Sequence, residues 1–178
     1  FETLHNLLFT HYQRIAYQEL RSIYFIAINY CVKQLNTGKE KYVRSVFELY
    51  QYGLEHHILL ENNTLSRFTY KNIVAAALRL NEYDWVVHFI KVYTPFLETI
   101  YQTPYALYAN AKLHFVQGDF DTTLNLLAKV EFDNLFLSMD AKTMLLKIYY
   151  ERGYYDALDS LLISFRRFLH RKSILASQ

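Results

Sequence analysis

The side chains best suited to chemistry in this sequence are seven histidines, several aspartates near glycine and a large stock of tyrosine and phenylalanine. A zinc site needs ligands one helical turn apart or in short spaced pairs, and the histidines show neither His-x-x-x-His spacing nor a nearby acidic ligand pattern. His56-His57 are neighbours on an expected helix end, where adjacent side chains point about 100° apart. They read as surface or helix-terminal imidazoles, and His114 reads as a packing residue. Asp84, Asp119, Asp121 and Asp156 fall at expected helix starts, where a carboxylate caps free amides and complements the helix dipole. A paired-acid active site would instead need two such groups facing one cleft. Phosphate-cradling loops need closely spaced glycines, whereas Gly38, Gly53, Gly118 and Gly153 stand far apart. Nucleotide loops of the Walker or Rossmann type are thereby excluded, as is a serine between glycines. No catalytic residue, cofactor or metal ligand is expected.

Two further groups could recognise rather than react. Aromatic residues make up 17% of the chain, and Tyr149-Tyr150 and Tyr154-Tyr155 are runs that could stack on bases. The expectation is that they fill the space between successive helices. Arg166, Arg167, His170, Arg171 and Lys172 complement the C-terminal end of a helix. The same cluster supports the competing expectation, a nucleic-acid partner whose phosphates it would track.

These side chains need a scaffold, and composition bounds it. A chain of 178 residues with 52% hydrophobic and 20% charged residues folds without staples. Nineteen basic residues against 17 acidic ones leave a net charge of +2, too balanced to imply nucleic acid or membrane from totals alone. The most apolar stretch, Ile23 to Val32, is far short of the roughly 20 residues that span a bilayer. A single cysteine, Cys31, points to a reducing compartment and therefore to the cytoplasm. The chain begins at Phe1 without a methionine and ends at Gln178 without a capping element, so a fragment of a longer protein is expected.

The elements themselves are helical. From Tyr155 to Leu169, Leu158, Leu161, Leu162, Phe165, Phe168 and Leu169 form one apolar stripe, and Met139 to Tyr150 repeats the spacing. Gly153 separates the two as a helix-ending residue in the left-handed conformation. The same corner recurs at Gly118, after a helix expected from about Pro104 to Val116, at Asn81 and at Gly38. The corners at 38, 81, 118 and 153 lie 43, 37 and 35 residues apart, a period typical of helical solenoids. Phe1 to about Tyr17 reads as an additional helix, and Ile58 to Ser66 as the one loop long enough to vary.

Around two of these corners the chain resembles the tetratricopeptide repeat family, through Ala111, Gly118 and Phe120 in one copy and Tyr149, Gly153 and Tyr155 in the next. It departs from the family at Thr123 and Leu158, where alanine is preferred, and in lacking the early tryptophan. The segments Lys71-Asn-Ile-Val-Ala-Ala-Ala-Leu-Arg-Leu, Asp84-Trp85 and Leu145-Leu-Lys-Ile-Tyr-Tyr-Glu also resemble those of a group of uncharacterised bacterial helical-repeat proteins. The resemblance implies an all-α fold of the α-α superhelix type: one domain over residues 1–178, a right-handed solenoid of about four hairpins plus an N-terminal helix. It also implies a non-enzymatic scaffold that binds a peptide or partner protein on its concave face. The family's ligand-facing positions, counted back from each corner, fall on Lys112 and Lys147, with Lys71 and Arg79 flanking the equivalent Ala75. Tyr105, Tyr108 and Tyr150 are expected on the same face.

Overall fold

The computed structural model describes residues 16–129 and 135–176, with side chains described as far as His170. The helix expected from Phe1 lies outside the described residues except for its end. Among them are eight α-helices: α1 (Tyr17–Asn36), α2 (Tyr42–Glu55), α3 (Arg67–Arg79), α4 (Tyr83–Tyr93), α5 (Thr99–Val116), α6 (Phe120–Leu127), α7 (Leu135–Glu151) and α8 (Tyr155–Ala176), with one short 3-10 turn at Thr94–Phe96. The all-α expectation holds. The stretch from Ile58 to Ser66 is more than a loop, because β1 (Leu60–Glu61) and β2 (Thr64–Leu65) pair antiparallel within it. Asn62 and Asn63 turn the ribbon at φ 49° and 59°, the left-handed pair that matches strand twist. Leu60 and Leu65, cross-strand partners, point into the core.

All four expected corners are present, and each is built the same way. Gly38, Asn81, Gly118 and Gly153 sit at φ 82°, 60°, 79° and 68°. In each, the corner amide bonds the carbonyl three residues back and the next amide bonds the carbonyl five residues back. At Gly118 these bonds are Gly118 N to Phe115 O at 3.1 Å and Asp119 N to His114 O at 2.9 Å. This double bond pattern satisfies carbonyls that a helix end leaves open, and only glycine or asparagine enters it without a steric penalty. The helix expected to begin near Pro104 begins at Thr99 instead, with Pro104 inside it. The donor that proline lacks would have served the Ile100 carbonyl, and Ile100 is exposed, so water can take its place.

The chain forms two compact units, residues 1–105 and 106–178. In the first, α2 buries Val43, Val46, Phe47, Tyr50 and Leu54, an i, i+3, i+4, i+7, i+11 stripe, and α3 buries Tyr70, Ile73, Val74 and Ala77 in the same rhythm. Phe47 meets Trp85 edge-on at 4.8 Å, Trp85 stacks on Phe89 at 5.3 Å, and Phe89 meets Tyr70 at 4.8 Å. The Tyr70 hydroxyl shares a 2.8 Å hydrogen bond with Thr94, and burial pushes its pKa up to about 12. Arg79 pairs with Glu40, and Arg44 with Glu82 at 3.0 Å, so ion pairs join the corner at Gly38 to the corner at Asn81. Exposed as they are, these pairs mark register more than they add stability.

In the second unit α7 buries Leu137, Ala141, Met144 and Ile148. Thr123, where the resembled family prefers alanine, is fully buried. Its hydroxyl donates to Asp119 O at 2.8 Å and lies 3.4 Å from Ala111 O, so α6 crosses α5 at a small-residue contact. Arg152 reaches Asp121 at 3.2 Å, joining the corners at Gly118 and Gly153. Asp119 caps α6 by accepting the Thr122 N–H at 3.1 Å. His114, expected as a packing residue, is half-exposed and lies 3.1 Å from the same carboxylate. Bonding to Thr122, with a smaller contribution from His114, holds the Asp119 carboxyl below its ordinary value. A depressed carboxylate adds stability above its unfolded pKa of about 3.9 and loses it as pH falls through the lower folded value. Asp119→Ala is therefore expected to lower the urea midpoint at pH 7, with Asp119→Asn milder because an acceptor remains. The gap between wild type and Asp119→Ala should narrow below about pH 4. A gap independent of pH would refute the cap.

Candidate functional site

The seven residues expected to face a ligand meet different fates. In the first unit Tyr105 is 3% exposed, and Arg79 is held by Glu40. Lys71 is half-buried on α3. In the second unit Tyr108 is fully buried and donates its hydroxyl to Asp140 Oδ2 at 2.6 Å, while Lys112 Nζ donates to that hydroxyl at 3.0 Å. Lys112 also lies 3.6 Å from Asp140. Tyr108, Lys112 and Asp140 thus form a brace between α5 and α7. The expectation that Tyr105 and Tyr108 face a ligand is corrected. Their phenol bodies are apolar, burying them is favourable, and for Tyr108 the hydroxyl finds a partner on the next helix. Lys147 and Tyr150 remain on the surface of α7, Tyr150 at 66% exposure.

The surface that stands out is next to those two residues, on α8. Every other α-helix among the described residues buries at least two side chains; α8, described to His170, buries none fully. Leu158, Leu161, Phe165 and Phe168 are half-buried in the stripe facing α7, where Lys142 Nζ lies 5.7 Å from the Phe168 ring centre. The rest of the expected stripe is not used internally. Tyr155, Leu162 and Leu169 recur every seven residues and so share one face, all exposed, with Ile163 beside them at 56% exposure. At the preceding corner Tyr150, Tyr154 and Tyr155 are exposed as well, which corrects the expectation that these tyrosines fill space between helices. Arg166, Arg167 and His170 stand exposed along the C-terminal half of the same helix. Exposed large apolar side chains that share one helix face mark a candidate binding surface. Charged residues in the sequence mark this helix as amphipathic, but they do not tell how much of the apolar stripe the fold itself consumes.

Among the described residues no group of three or more His, Cys, Asp or Glu could hold a metal, and no helix is long and apolar enough to cross a membrane. Cys31 is buried, and burial pushes its thiol up to about 11, which suppresses the thiolate that nucleophilic chemistry requires. No family model, curated protein or solved structure matches the chain.

Proposed function

We propose that the chain is a tetratricopeptide-like helical-repeat scaffold, part of a right-handed α-α superhelix, that holds a protein partner and catalyses nothing. The observation that carries this reading is the uncovered face of α8, formed by Tyr155, Leu162, Ile163 and Leu169. The four like-built corners, spaced at repeat length, support the solenoid part. A buried, protonated Cys31 suits a cytoplasmic setting. The partner we infer is an acidic amphipathic helix. Its apolar side would cover the seven-residue repeat of α8, a helix-on-helix mode of recognition. Its carboxylates would meet Arg166 and Arg167, whose guanidinium forks suit carboxylates. Lys147 and Tyr150 on α7 would border the same partner. The concave row from Lys71 to Lys147 is less suited, because Arg79 and Lys112 already have internal acidic partners.

The test is fluorescence anisotropy with three labelled 20-residue peptides: leucines at helical spacing flanked by glutamate, the same with lysine, and a scramble of the first. The glutamate helix is expected to bind at least tenfold more tightly than either control, and Leu162→Asp with Leu169→Asp to abolish the difference. Equal binding of all three, or indifference to the double substitution, would refute it. Stronger retention of a single-stranded DNA 20-mer, lost with Arg166→Glu and Arg167→Glu, would move the assignment to nucleic acid. Interleaved leucines make that the weaker reading, since a phosphate backbone has no use for them.

A further inference from the structure

The first unit holds a cleft of about 640 Å³ between α1, the β1–β2 ribbon, the start of α3 and the start of α5. Two arginines line it. Arg21 reaches the ribbon, donating from Nη2 to Glu61 Oε2 at 2.8 Å, and its side chain is 21% exposed. Its Nε is buried and has no hydrogen-bond partner among the described residues. A buried guanidinium N–H left without an acceptor is costly, so native structures rarely leave one unmet. Arg67 lies with its guanidinium carbon 4.2 Å from the Tyr101 ring centre and 5.0 Å from that of Phe68. No ion pair of Arg67 is present among the described residues. Ring contacts of this kind hold a guanidinium in place without using its N–H donors on a carboxylate. The first-turn amides of α3 lack a capping side chain, since Ser66 makes no such bond. Phe25, Leu59 and Tyr101 supply apolar wall.

We propose that this cleft is a carboxylate-binding site, taking a peptide group in which an acid stands beside an aromatic or aliphatic side chain. The Arg67 fork would hold the carboxylate as a bidentate pair, with Arg21 on the opposite wall adding positive charge to the cleft. The apolar neighbour would lie against Phe25 and Leu59. Glu61 is already matched by Arg21, whose hydrogen bond and charge hold its carboxyl below the ordinary range. Glu98 is the remaining acid on the cleft wall. It repels a second negative charge and restricts the ligand to one carboxylate at the Arg67 end. This site is separate from the α8 face and stands whether or not that face binds a helix.

The experiment follows the arginine Nε–Hε cross-peaks of the whole chain by NMR while N-acetylphenylalanine, its C-terminal amide, N-acetyl-glutamyl-phenylalaninamide or inorganic phosphate is added. Saturable shifts of Arg21 and Arg67 are expected with a carboxylate probe and not with N-acetylphenylalaninamide. Response to N-acetylphenylalanine alone assigns a chain terminus, and response to the glutamyl peptide alone an acidic side chain. Arg67→Gln should weaken binding at least tenfold, Arg67→Lys by an intermediate factor because the fork is lost, and Glu98→Gln should tighten it a few-fold. Arg79→Gln, elsewhere in the unit, should leave it unchanged. If Arg67→Gln loses its dispersed spectrum, the lysine variant carries the test. Absence of saturation with either carboxylate, equal response to the amide, binding of phosphate alone, or indifference to Arg67→Gln and Arg67→Lys would overturn the proposal.

Discussion

Truncating Phe89 to alanine is expected to cost about 3–5 kcal/mol, the range for removing a large ring from a core that cannot collapse. Phe89 is fully buried, with Tyr70, Trp85 and Tyr93 at centroid distances of 4.8, 5.3 and 5.2 Å. These neighbours are rings fixed on two helices, α3 and α4, so they cannot fill the space together. The loss would approach the whole stability of a small unit. Urea unfolding followed by circular dichroism and tryptophan fluorescence checks it, since Trp85 is the only tryptophan and reports on this cluster. A cost under about 1 kcal/mol, typical of surface changes, would mean that the ring cluster is not packed as described.

Gly53→Ala is the second large effect, and its sign is a contest between two terms. Alanine in a helix interior is favoured over glycine by about 1 kcal/mol. At this position, however, an added Cβ would meet Leu59 Cγ at 2.8 Å and Tyr24 Cε1 at 3.0 Å. Both neighbours are buried and neither contact is the free tip of a flexible chain. Overpacking of this kind costs about 1–3 kcal/mol, so the substitution is expected to destabilise despite better propensity, by a net of up to about 2 kcal/mol. A raised melting temperature would show that α2 and the segment entering the β ribbon do not approach this closely.

How much of this was legible depends on the range of the interaction. The corners could be read because a left-handed residue is a local demand, met by glycine or asparagine whatever packs around it. The stripe of α7 could be read because a buried face repeats at helical period. By contrast β1 and β2 are two residues each, too short for any periodicity, although Asn62-Asn63 was a turn signal in plain view. The burial of Tyr105 and Tyr108 was not legible, because a tyrosine suits either a core or a binding face and only Asp140 and the neighbouring helices decide. Gly53 illustrates the same limit: its sequence position says nothing of its role, which is set by Leu59 and Tyr24, the latter 29 positions away in sequence. The Arg21–Arg67 cleft joins residues from four elements and leaves no local pattern. On α8 the stripe itself was visible, but which of its leucines face α7 and which face outward was not.

The claim on which the functional account rests is that a partner sits on the outer face of α8. Hydrogen–deuterium exchange of the whole chain, with and without saturating glutamate-helix peptide, tests it most directly. Protection confined to residues 155–170 and the adjoining end of α7 is the expected result. Unchanged exchange across α8, with protection appearing on other helices or nowhere, would contradict it.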